Sequence, residues 1–119
     1  MYTLHHVQLA MPAHAEDEAR AFYADVLGFR EVPKPPALAA RGGVWFRAGE
    51  VELHLGAEEP FHPARKAHPA ILTDALDELA ERLSAAGREA RPDVRLPGFR
   101  RFHVDDCFGN RLEFLEAAG

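Results

Sequence analysis

At 119 residues, with 47% apolar and 28% charged side chains, the chain has the size and composition of one globular domain with a real core. A formal net charge of -5 argues against nucleic acid or an anionic membrane as the main partner. The single cysteine, Cys107, excludes an internal disulfide framework. With no run that reads as a leader or a membrane span, the expectation is a cytoplasmic protein.

Thr3 to Met11 alternates as a half-buried strand does, with Val7, Leu9 and Met11 on one face and His6, Gln8 and Ala10 on the other. Pro12 ends it, and Glu16, Asp17 and Glu18 suit the positive end of a helix, where they read as helix-end charges and nothing more. Ala19, Phe22, Tyr23, Val26 and Leu27 follow at helical spacing up to Gly28. A weak strand is expected around Glu31 to Val32, and Lys34-Pro35-Pro36 reads as a loop at the rim of a cleft. Val44 to Ala48 and Val51 to Leu55 read as strands joined at Gly49.

After a proline-bearing linker the pattern restarts. His68 to Thr73 reads as a strand, with Asp74 as helix N-cap and Leu76, Leu79, Ala80 and Leu83 as the apolar stripe before Gly87. A weak strand at Glu89 to Val94 and two firmer ones, Arg100 to Asp105 and Arg111 to Glu116, complete the chain around a turn at Gly109-Asn110. The order is β-α-β-β-β twice. Each copy opens on a histidine and closes on a strand glutamate: His6 and Glu52 lie 46 residues apart, His68 and Glu113 45. Neutral imidazole plus carboxylate is a ligand set for a divalent metal. Neither half could bury both faces of its sheet alone, so the two form one domain, residues 1–119, with module one at about 3–57, a linker at about 58–66 and module two at about 67–117.

Particular strings carry a resemblance. Leu4-His5-His6-Val7-Gln8-Leu9, Ala21-Phe22-Tyr23 with Val26-Leu27-Gly28-Phe29, His68-x-Ala-Ile, and Asp106-Cys107-Phe108-Gly109-Asn110-Arg111-Leu112-Glu113 resemble the glyoxalase/bleomycin-resistance/extradiol-dioxygenase superfamily. The resemblance implies the α+β vicinal oxygen chelate fold, two pseudo-symmetric βαβββ modules whose mixed sheets curl into a cup-shaped cleft. It implies His6, His68 and Glu113 as metal ligands, with Glu52 in Val51-Glu52-Leu53 matching a fourth ligand seen in glyoxalase I. The metal would be manganese, iron, cobalt, nickel or zinc. Two-module members commonly form homodimers, some building each site from both chains.

Each assignment has a plainer alternative. Glu52 is either a ligand or a solvated strand residue; His54, two residues on and on the same strand face, either replaces it or serves as general base. Glu52, His54 and Glu113 are therefore the catalytic candidates. His103 reads equally as cleft lining or catalysis, while His5, His14 and His62 read as surface residues. Trp45 and Arg47 share a face, as core packing and solvated edge or as cleft lining. Cys107 stands where relatives carry proline and reads as a neutral substitution. Two functions follow: a metal-dependent enzyme acting on a small oxygenated or thiol-bearing molecule, by lyase, isomerase, dioxygenase or transferase chemistry, or a metal-free drug-binding protein of the bleomycin-resistance kind.

Overall fold

Strand alternation sorts the apolar residues onto one face, and the computed structural model, which describes all 119 residues, shows where that face goes. Module one holds β1 (Val7–Met11), α1 (Glu16–Arg20) running on into a π-helical stretch (Ala21–Val26), β2 (Arg30–Val32), α2 (Pro36–Ala39), β3 (Val44–Ala48) and β4 (Val51–Ala57). Module two holds β5 (Ala70–Leu72), α3 (Leu76–Ala85), β6 (Arg91–Pro92), β7 (Phe99–Asp105) and β8 (Arg111–Ala117). The strands form two four-stranded mixed sheets with the same topology, β1-β4-β3-β2 and β5-β8-β7-β6, the first strand of each lying parallel to the last. The doubled βαβββ order is therefore present.

Several local readings change. His6 and His68 both fall ahead of their strands, which begin at Val7 and Ala70. Asp74 is not the N-cap of α3. Ala75 holds that position with no side-chain cap; its own N–H is taken by Thr73 Oγ1 at 3.2 Å, and the Leu76 N–H by Glu116 Oε1 at 3.3 Å. The Pro35-Pro36 loop contains a one-turn helix, because a proline at the first helical position has no N–H to leave unsatisfied. The strand expected at Glu89 to Val94 shrinks to Arg91–Pro92. In the first helix the Leu27 N–H bonds the Phe22 carbonyl, a five-residue step, and neighbours Phe22 and Tyr23 are both buried.

Nineteen buried apolar residues form one continuous core that draws on both sheets, including Phe46, Leu53 and Leu55 of module one and Phe102, Leu112 and Phe114 of module two. The helices supply Phe22, Tyr23, Leu79 and Leu83. Glu16 does more than charge a helix end: its carboxylate accepts the Gly43 N–H at 2.8 Å, holding the entry to β3. Gly43 has φ +89°, and an added Cβ would stand 2.2 Å from the Leu55 carbonyl oxygen, so only glycine fits.

The Asp-x-x-Gly-Asn motif turns out to be a staple between the halves. Asp106 and Asn110 are buried in the β7–β8 turn. Asp106 accepts the N–H groups of Phe108 (2.9 Å) and Asn110 (2.8 Å) and the Tyr23 hydroxyl (2.6 Å). Asn110 donates to the Ala10 carbonyl in β1 at 2.8 Å and accepts the Ala64 N–H at 2.9 Å. One turn of module two thus holds the helix and first strand of module one and the segment between them. Burial, reinforced by the Asp106 charge, pushes the Tyr23 hydroxyl well above its usual value, so it stays a donor.

Candidate metal centre

The faces of the sheets turned away from the core carry the polar chemistry. On β8, Leu112 and Phe114 enter the core while Arg111, Glu113 and Leu115 take the other face. The β7–β8 register sets His103 opposite Glu113, Arg101 opposite Leu115 and Asp105 opposite Arg111. His68 arrives just ahead of β5, whose Ala70 pairs with Glu113.

Three donors therefore meet. His68 Nε2 lies 2.9 Å from Glu113 Oε1 and His103 Nε2 3.3 Å from the same oxygen. One ligand atom from each of His68, His103 and Glu113 falls within 4.8 Å of the others. His68 Nδ1 sits 2.7 Å from the Lys66 carbonyl, which can only accept, so Nδ1 carries a proton. The Nε2 of a neutral His68 then turns a lone pair toward a carboxylate oxygen. Two acceptors facing each other call for a proton or a metal ion between them. The donor set thus fits a divalent cation, and the carbonyl behind His68 is the usual outer support of a ligand imidazole.

The surroundings keep these groups in ligand form. Arg101 Nη1 donates to Glu113 Oε2 at 3.1 Å, leaving Oε1 toward the histidines, and Arg101 Nη2 lies 3.2 Å from Asp93. Burial pushes Glu113 up, but the hydrogen bond it makes with His68 when a proton lies between them, and the one from Arg101, outweigh burial and hold the carboxyl below its usual value. Burial, then the Arg111 charge, holds His103 below the usual imidazole value despite the pull of Glu113.

His6, Glu52 and His54 gather separately on module one. His54 Nε2 lies 2.7 Å from Glu52 Oε2, and that hydrogen bond is the main reason Glu52 is held below its usual value. The His54 ring is sandwiched between His6 (centroids 4.0 Å) and Trp45 (3.8 Å, planes 3° apart). Trp45 therefore lies on the polar face and not in the core. Arg47 stays at the edge, 3.9 Å from Glu52. Lys34 donates to the Gly42 carbonyl and lines a small cavity with Gln8, Arg41 and Trp45.

The sheet registers also redraw the internal equivalence. Spacing along the chain aligns Glu52 with Glu113, but Glu113 pairs with Ala70 and His103, whereas the residue pairing with Gln8 and Trp45 is His54. Burial agrees: Leu53-His54-Leu55 and Leu112-Glu113-Phe114 are the buried centres of β4 and β8. His6 and His68 each stand two residues before the β1 or β5 partner of that centre, so those two do correspond. Counting back across the β7–β8 turn would have set His103 opposite Glu113. The arginines around the centre left no comparable signal in the sequence. Cys107 is half-buried, and burial, with Asp106 beside it, pushes its thiol up to about 12, so it is no nucleophile at neutral pH.

The doubled module and the histidine–carboxylate centre together define the vicinal oxygen chelate class. The family model for the Glyoxalase/Bleomycin resistance protein/Dioxygenase superfamily matches residues 3–114, and the chain belongs to that superfamily. A glyoxalase family protein from Bacillus anthracis is similar over 99% of this chain and 97% of its own, at 45% identity and a TM-score of 0.95. Lactoylglutathione lyase from Agrobacterium tumefaciens matches at 25% identity and TM-score 0.67, covering 92% of this chain and 91% of that one. A variant of the fosfomycin resistance protein FosX from Listeria monocytogenes, solved with Mn(II) and 1S,2S-dihydroxypropylphosphonic acid, shares the fold. It has 18% identity and a TM-score of 0.79, with 99% and 94% coverage. No curated protein is significantly similar.

Proposed function

We propose that this protein is a divalent-metal-dependent enzyme acting on a small oxygenated or thiol-bearing molecule. The carrying observation is the convergence of His68, His103 and Glu113, with the lone pairs of an oriented imidazole and a carboxylate facing each other. These residues would hold manganese, iron, cobalt, nickel or zinc. Two imidazoles and one carboxylate leave coordination positions for water or a chelating substrate, the layout of a catalytic site. A bound ion would supply Lewis acidity toward a carbonyl or enediolate oxygen and lower the pKa of a bound water.

The chain's own residues do the rest. Arg101 fixes which Glu113 oxygen is offered and keeps the carboxyl ionised. The Glu52–His54 pair is built as a proton acceptor, its imidazole oriented by the carboxylate and clamped between two rings. His6 stands beside it. In a homodimer this module-one group would face the metal centre of a second copy, adding His6 as a ligand and the Glu52–His54 pair as base. The support for that arrangement is that each group is already assembled within its own module.

Elemental analysis of freshly purified protein beside His68→Ala and His103→Ala variants tests the reading. About one divalent ion per chain is expected, lost in both variants. An ion lost in His68→Ala but retained in His103→Ala would exclude His103 as a ligand. No ion after reconstitution with manganese, iron, nickel or zinc would reject the metal enzyme in favour of metal-free ligand binding.

A further inference from the structure

A second concavity lies beside the metal centre, and its charge is opposite to that of the chain. It has a volume of about 590 Å³, the size of a small-molecule site, and is lined by Arg65, Arg91, Arg111 and Asp105 together with Phe108. Three guanidiniums from three elements (the 58–69 segment, β6 and β8) thus meet one carboxylate, in a protein of net charge -5. Asp105 is engaged by Arg91 at 3.0 Å. Arg65 and Arg111 have no carboxylate within ion-pair distance, and Arg111 Nε is buried with no hydrogen-bond partner.

The cradle is held in place. The Arg111 N–H donates to the Ala64 carbonyl at 2.8 Å while the Ala64 N–H is held by Asn110, so the residue preceding Arg65 is fixed from both sides. Register fixes the cradle's relation to the metal centre. Arg91 pairs directly with His103, and Arg111 lies two residues before Glu113 on the same strand face, a separation of ~7 Å. A cationic pocket with an unsatisfied guanidinium, one pleat from a candidate metal, is built to hold the charged end of something whose other end reaches that metal.

We infer that this concavity is an oxyanion subsite, with Arg65 and Arg111 binding the phosphate, phosphonate or carboxylate of a small substrate. The subsite follows from the arginines alone. Its assignment to the substrate rests on the metal reading, and makes the substrate an oxyanion carrying a second oxygen function for the metal. Arg65 is exposed on its loop, so its removal leaves the core untouched.

Inorganic phosphate and acetate, titrated calorimetrically into metal-free protein at constant ionic strength, test the subsite and separate phosphorus oxyanions from carboxylates. Arg65→Gln and Arg111→Gln should each weaken binding of the preferred anion by about tenfold. Arg41→Gln, which removes the same charge from the module-one cavity, should leave it unchanged. Equal loss in Arg41→Gln would reduce the effect to net charge and overturn the subsite, as would an unchanged affinity in Arg65→Gln. Phosphoglycolate should bind Mn(II)-loaded protein about tenfold tighter than metal-free protein, beyond any gain inorganic phosphate shows. Equal gains for both would overturn the assignment to the substrate. Absence of Mn(II) binding would reject the metal reading while leaving the apo titrations to decide the subsite.

Discussion

The two modules share a backbone plan and differ in what they place on it. Glu113 and His54 hold the same position in their sheets, as do His103 and Trp45. In module two that pair, with His68, converges on one point. In module one it makes a stack of three rings, and the carboxylate comes from Glu52, a position whose counterpart in module two is Arg111. A repeat preserves register and burial because the core demands them. The polar face is under no such demand, so it is where the two copies have become chemically distinct.

The largest test of that difference removes the central residue of each polar face. Glu113→Ala should cost ~3 kcal/mol, because Arg101 would lose a partner in a buried setting. His54→Ala, which opens a stack and takes one partner from Glu52 while Arg47 stays 3.9 Å away, should cost ~1 kcal/mol. Urea unfolding of the apo proteins measures both, and equal losses would erase the distinction.

Next come the glycines that enter corresponding strands, Gly43 before β3 and Gly98 before β7. Both have positive φ, but Gly98 has open space where a Cβ would go. Gly43→Ala should cost ~3 kcal/mol and Gly98→Ala ~1 kcal/mol, read as midpoint shifts in the same unfolding series.

Tyr23→Phe tests the joint between the modules. It removes the hydroxyl that donates to Asp106, for ~1–2 kcal/mol. Thermal unfolding that splits into two transitions would show that this turn is what couples the halves.

The smallest effect is at Glu16. The Gly43 N–H is the main reason its carboxyl is held below the ordinary value of 4.5. A depressed folded-state pKa contributes stability above pH ~4.5 that disappears as pH falls through the folded value. Glu16→Gln should therefore lose under ~1 kcal/mol at neutral pH, with the gap to wild type closing on acidification. A gap that widens toward low pH would contradict the assignment.

How much of this was legible in the sequence depends on which forces set it. The alternation of Val7, Leu9 and Met11 and the leucine stripe of α3 reflect core burial, which acts residue by residue and leaves a periodic trace. Lateral register leaves a weaker one, because it depends on turn length. Module one reverses between β3 and β4 over two residues, module two between β7 and β8 over five. Linear spacing accordingly aligned Glu52 with Glu113, where the sheets align His54. The opening histidines were readable because the same short strand follows each. Arg101 and Arg111 were not, since an arginine on a polar strand face looks the same whether it meets solvent or a buried carboxylate.

The ring stack on module one has an optical consequence. Trp45 is the only tryptophan in the chain, and it lies flat against His54, which lies flat against His6. Contact with a protonated imidazole quenches indole emission, so fluorescence at this one position reports the charge on its neighbour and the continuity of the stack. Any event that draws His6 away or fixes the His54 proton will appear as a change in emission, without a label.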